Sequence, residues 1–75
     1  MLEDVKEIRI YSAPFKCPYC DRAKALCERF NLKYTEVIGN LPVGLTTYPQ
    51  IFFDNDYVGG CTEFFSVIRH QKSKE

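Results

Sequence analysis

The chain has 75 residues, with ten basic and ten acidic side chains, and is 45% hydrophobic, 15% aromatic and 27% charged. That length allows one small domain, residues 1–75, burying roughly 60% of its unfolded surface, so its core is marginal and must pack densely. The balanced charge leaves no basic surplus for phosphates, which argues against nucleic acid, and no apolar run reaches the ~20 residues of a membrane span.

Residues 7–12, EIRIYS, alternate Ile8 and Ile10 with polar neighbours and read as a first strand. Pro14 then breaks the pattern and makes APFK a loop. From Pro18 to Phe30 the period changes: Cys20, Ala23, Cys27 and Phe30 fall on one helical face, with Leu26 beside them. Pro18 suits the first helical position, where its missing N–H has no partner to lose, and Asn31 can close the helix. Residues 33–38, KYTEVI, read as a second strand, so strand, helix and strand form a right-handed βαβ unit with parallel strands. In GNLPVGLTTYP the glycines and prolines leave no room for a helix. QIFFD is a buried third strand, DND a turn, and YV a short fourth strand returning as a hairpin. After Gly59-Gly60, a last helix runs from Cys61 to about Lys72, with Phe64, Phe65 and Ile68 inward, and the terminal SKE frays. The order β-α-β-loop-β-β-α makes a small α/β layer structure.

The cysteines carry the chemistry. The start MLEDVKEIR is charged and lacks an apolar signal region, so a cytoplasmic protein is expected. In a reducing compartment a Cys-x-x-Cys pair is more often catalytic or metal-binding than structural. Cys17 and Cys20, in KCPYCDR, admit three readings. Zinc needs four ligands, and Cys27, Cys61 and His70 form no second pair, so no metal is expected. A structural bridge between Cys17 and Cys20 closes almost no chain and has little loop entropy to remove. A redox couple fits best, because the pair follows a strand and opens a helix. Cys17 falls at the helix N-cap, among unsatisfied N–H groups and near Lys16 and Arg22, an environment expected to lower a thiol pKa and make Cys17 the nucleophile. Cys20 falls on the inward face, placed to attack a mixed disulfide on Cys17.

With these motifs together the chain resembles the glutaredoxins. CPYC is the motif of dithiol members. Thr47-Tyr48-Pro49 stands where the family has Thr-Val-Pro, with a cis proline facing the cysteines. GGCTEF, residues 59–64, resembles Gly-Gly-Cys-Asp-Asp-Leu. The resemblance implies a thioredoxin-like α/β fold: a small four-stranded mixed sheet packed with two main helices, the usual middle helix replaced by the GNLPVGL loop. It implies a glutathione-dependent thiol–disulfide oxidoreductase that reduces protein disulfides and glutathione mixed disulfides. Cys17 would attack, Cys20 would resolve, and glutathione would be the reductant. It also implies a glutathione groove. Tyr48 would pair its backbone with the tripeptide beside Thr47 and Pro49, as an added strand does. Gly60, Cys61 and Thr62 would hold the γ-glutamyl carboxylate at a helix N-terminus. Tyr19 would flank the groove. The usual lysine three places before the nucleophile is replaced by Pro14, leaving Lys16 as the candidate substitute. The absent middle helix commonly supplies an Arg or Gln to the glycine carboxylate, so thinner glutathione recognition is expected.

Two other functions stand beside this one. A redoxin reduced by thioredoxin reductase would serve ribonucleotide reductase, as short relatives do. A module binding an iron–sulfur cluster would use Cys17 and glutathione as ligands, although cluster-binding relatives usually carry a different motif. The expected state is a monomer with disulfide-containing proteins as partners. Cys27 reads as a core residue. Cys61, read as a helix N-cap, is either a cap or a second acidified thiol. Tyr48 is either packed or a groove wall, and only the resemblance makes Pro49 cis.

Overall fold

The computed structural model describes residues 5–73, so the expected fraying of the last residues falls, at 74 and 75, outside the described residues. The elements are β1 (Ile8–Ser12), α1 (Pro18–Arg29), β2 (Tyr34–Ile38), β3 (Gln50–Phe53), β4 (Asp56–Gly59) and α2 (Cys61–Ser73). The strands form one sheet in the order β2-β1-β3-β4. β1 and β2 are parallel, with Ile8 opposite Tyr34 and Ser12 opposite Ile38, as a crossover through α1 requires. β3 runs antiparallel to β1, and β4 antiparallel to β3. The sheet is therefore mixed, as expected, and residues 39–49 contain no helix.

Local chemistry explains the ends of these elements. α1 starts with Pro18 just after its N-cap and ends at Phe30. Asn31 has φ +57, Leu32 N–H donates to the Cys27 carbonyl at 2.7 Å, and Asn31 N–H donates to the Glu28 carbonyl at 3.2 Å. These paired bonds satisfy carbonyls that the helix leaves open, and asparagine tolerates the left-handed residue they need. Between β3 and β4, Asp54 turns the chain at φ +56. Its carboxylate accepts from Lys6 N–H at 3.1 Å and Glu7 N–H at 3.0 Å, which ties the hairpin to the segment leading into β1.

Both helices pack on one face of the sheet. The core joins Ile8 and Ile10 of β1, Ile51 and Phe53 of β3, Ala23 and Cys27 of α1, and Phe64 and Ile68 of α2. Phe64 and Phe53 meet edge to face at 5.9 Å, and burying a side chain of that kind contributes about 1.5–3 kcal/mol. On the opposite face Tyr11, Phe52 and Tyr57 form a row of rings, with centroids 5.7 Å and 5.3 Å apart. Phe52 thus belongs to this second face and is half-buried. Phe65 also departs from expectation: it is 43% exposed, not inward. Adjacent helical residues diverge by about 100°, and Phe64 takes the core position, so Phe65 turns toward the outer side of α1.

Candidate active site

Cys17 is the N-cap residue of α1, with extended backbone at φ −142 and ψ 106 and no side-chain hydrogen bond of its own to the helix. Its carbonyl accepts the first helical bond, from Asp21 N–H at 3.1 Å. The side chain is therefore held at the open N–H end of the helix dipole, partly exposed. Cys20, three residues on, is 3% exposed beneath it. The Ala13 N–H donates to the Cys20 sulfur at 3.4 Å. Burial first, and then a hydrogen bond to Cys17, push the Cys20 thiol up to about 11. Both sulfurs stand as free thiols. Sequence spacing predicts this division into an accessible and a buried sulfur, and the helix geometry produces it.

A groove of about 440 Å³ reaches Tyr19, which stands between the two cysteines in sequence; neither of their sulfurs belongs to its lining. One wall is Thr47, Tyr48 and Pro49, the other is Gly60, Cys61 and Thr62 at the start of α2, and Tyr19 borders both. The Tyr48–Pro49 peptide is cis, and Tyr48 is a groove wall that also meets Phe15 edge to face at 6.1 Å. Of the residues singled out from the sequence for this groove, Lys16 alone stays outside its lining; it is exposed. Arg22 stacks over the Tyr19 ring at 5.3 Å.

Two features lie beyond the sequence reading. First, Gly60, not Cys61, precedes α2, and its carbonyl accepts from Phe64 N–H at 3.0 Å. Glu63 Oε1 reaches back to accept from the Gly60 N–H at 2.8 Å, the reciprocal half of a capping box. Cys61 is thus the first helical residue. Burial, outweighing the nearby Arg22 cation, raises its thiol pKa, the direction opposite to that of a second acidified thiol. The spacing of Gly60 and Glu63 before an apolar run was the available signal. Second, Gln50 is buried at the groove floor; its Nε2 donates to Thr47 Oγ1 at 2.9 Å and its Oε1 accepts from the Tyr57 hydroxyl at 2.6 Å. Nothing local marks it, because its partners come from a loop and another strand. Cys27, read from the sequence as a core residue, is fully buried, and burial pushes its thiol up to about 11.

Among the described residues, no three His, Cys, Asp or Glu side chains gather as a metal site, and no helix is long and apolar enough to cross a membrane. No family model matches the chain. It is 41% identical over 63 residues to Glutaredoxin 1 of Rickettsia prowazekii, covering 68% of this chain and 66% of that protein. With the Rickettsia typhi protein of the same name, 61% of the relative is spanned. It is 38% identical over 61 residues to Glutaredoxin 3 of Escherichia coli K12, covering 68% of this chain and 74% of that protein. Among solved structures, glutaredoxin from Brucella melitensis superposes with a TM-score of 0.71 at 32% identity, over 91% of this chain and 84% of the other. A buckwheat glutaredoxin–glutathione complex superposes with a TM-score of 0.73 over 87% and 70%; at 22% identity it speaks for the fold alone.

Proposed function

The chain belongs to the glutaredoxin family, and from that premise we propose that it is a glutathione-dependent thiol–disulfide oxidoreductase acting through Cys17 and Cys20. The observation that carries this reading is the pairing of a partly exposed sulfur at a helix N-cap with a buried sulfur one turn below it that accepts from the Ala13 N–H. Cys17, as thiolate, attacks one sulfur of a disulfide. That S–S bond breaks, the departing sulfur leaves as a thiolate that takes up a proton from water, and Cys17 is held in a mixed disulfide. Cys20 then attacks Cys17 and releases the second thiol, leaving a Cys17–Cys20 disulfide. Two glutathione molecules reduce it in the same two stages, ending as glutathione disulfide.

Glutathione would lie in the groove, with its backbone along Tyr48 beside Thr47 and Pro49 and a carboxylate at the start of α2. Glu63 already occupies the Gly60 N–H, so the free amides for that carboxylate are those of Cys61 and Thr62, which no helical carbonyl can reach. Lys16, outside the groove, would act on glutathione only through its charge. Protein disulfides are the expected second substrate class.

Two variants test the assignment. Cys17→Ser should abolish turnover with every substrate. Cys20→Ser should lose the reduction of protein disulfides but keep the removal of glutathione from mixed disulfides. Equal loss of both activities in both variants would remove the division of labour. The reduction potential should lie at roughly −200 to −230 mV; about −270 mV would point to thioredoxin reductase as the electron source.

A further inference from the structure

α1 and α2 lie side by side on the sheet, and their outer sides leave a second groove, of about 410 Å³. It starts at Tyr19, two residues after Cys17, and runs along α1 to Arg29 in the last turn. Tyr19, Cys61 and Thr62 line this groove and the first one alike, so the two meet near the start of both helices. The glutathione positions use the first groove and leave the rest of the second without a role.

Its floor is apolar, with Ala25 and Leu26 of α1 on one side and Phe65 of α2 on the other. Phe65 is 43% and Tyr19 55% exposed. Apolar surface left open in this way and rimmed by polar groups marks an interaction site. The rim is cationic. Arg22 and Arg29 are both exposed and stand seven residues apart on α1, which is two turns and about 10 Å along its axis. No acidic side chain lines the groove, and among the described residues neither arginine enters an ion pair. Instead Arg22 lies over the Tyr19 ring, and Arg29 lies over the Phe30 ring at 5.8 Å. A guanidinium stacked on a ring keeps its N–H edges for a carboxylate. On α2, Arg69 lies over the Phe65 ring at 5.8 Å and adds a cation on that side.

This positive charge is local. The chain carries ten basic and ten acidic side chains, so it has no surplus for nucleic acid. Anionic membrane surfaces are recognised by roughly four to eight clustered basic residues, more than line this groove. Two cations flanking an apolar floor fit a peptide instead. In an extended peptide, carboxylates four positions apart and an apolar residue midway share one face and span about 13 Å. The long arginine side chains cover the difference from their own spacing.

We propose that the groove between α1 and α2 docks a disulfide-containing substrate protein through an acidic segment flanking its cysteine, with an apolar side chain against Leu26 and Phe65 and carboxylates on Arg22 and Arg29. This rests on the redox reading of Cys17 and Cys20. The docked segment makes and breaks no bond. It holds the substrate's disulfide near Cys17 while glutathione uses the other groove, so it acts on KM and leaves kcat alone.

The test compares two synthetic peptides, each closed by one disulfide, with the full chain and glutathione as reductant. One peptide has a tail with glutamates four positions apart and a leucine midway; the other has glutamines in their place. The acidic peptide should show a KM at least about fivefold lower at the same kcat, within reach of two exposed ion pairs. Arg29→Gln should close more than half of that gap. Phe65→Ser should raise the KM of both peptides about threefold, since both carry the leucine. Neither variant should change turnover of a small glutathione mixed disulfide. Equal KM values for the two peptides in the wild type overturn the proposal, as does a gap that survives Arg29→Gln intact. Equal KM values together with Arg29-dependent binding to phosphatidylserine vesicles, or with a dimer that Phe65→Ser dissolves in sedimentation, overturn it in favour of a membrane or a second copy. If the wild-type protein turns over no disulfide, the redox reading falls. Fluorescence anisotropy of the dye-labelled, cysteine-free tails then decides the docking surface alone: tighter binding of the acidic tail, lost in Arg29→Gln, sustains it, and equal binding overturns it.

Discussion

Gly59 joins backbone conformation to the architecture of the groove, and its replacement by alanine has a magnitude that follows from the geometry. Its φ is +130, and an added Cβ would lie 2.8 Å from both Cβ and Cγ of Glu63. Holding a residue with a side chain in that region costs on the order of 1–3 kcal/mol. The contact also displaces Glu63, whose carboxylate accepts from the Gly60 N–H at 2.8 Å, and loss of such a cap costs about 1 kcal/mol. Together these give about 2–4 kcal/mol, which in a domain of this size lowers the thermal midpoint by roughly 10–25 °C. Far-UV circular dichroism melts of Gly59→Ala, Glu63→Ala and the double variant check both parts. Because Glu63→Ala has already removed the cap, the double variant should be less destabilised than the sum of the singles by about 1 kcal/mol. A Gly59→Ala midpoint within about 3 °C of wild type would refute the strain assignment. Full additivity would refute the shared cap.

Other substitutions separate packing from chemistry. Phe64→Ala should cost about 3–5 kcal/mol, enough to leave this small domain largely unfolded at 37 °C, whereas Phe65→Ser, on the exposed side of the same helix, should shift stability by no more than about 0.5 kcal/mol; chemical denaturation of the two checks the contrast. Cys27→Ser should lose about 1–3 kcal/mol, because a hydroxyl replaces a thiol at a fully buried position without a partner. Its turnover with small disulfides, assayed below its melting range, should match wild type. The reduced protein should lose stability as pH rises from about 9 to about 11, the window between the ordinary thiol value and the raised values of Cys20 and Cys27. In that window the unfolded chain has shed protons that the folded chain still holds, so stability falls with pH. Melts at stepped pH should show the decline, and Cys27→Ala should make it shallower; a flat profile would contradict burial as the cause.

Much of the site can be read along the chain because its parts are local. The period of two in EIRIYS and the helical spacing of Cys20, Ala23 and Cys27 follow from backbone geometry alone, and they place Cys17 outside and Cys20 inside before any tertiary contact forms. Pro18 at the start of α1, Asn31 at its end and the glycine-rich loop without a helix are equally local. What the chain could not disclose depends on register and on how α2 lies against the sheet. The choice of Phe64 over Phe65 for the core is set by the angle at which α2 meets β3 and β4, and no pattern in two adjacent phenylalanines specifies it. Cys61 is only the first helical residue because Glu63 folds back on Gly60. Glu36 reaches Lys24 of α1 only when β1 and β2 pair in one register; a slip of a single residue would turn it to the opposite face. Short-range sterics and hydrogen bonding therefore determined the elements and the two sulfurs, whereas the groove floor, the cap and the choice of core phenylalanine were decided by the strand pairing and packing that bring distant side chains together.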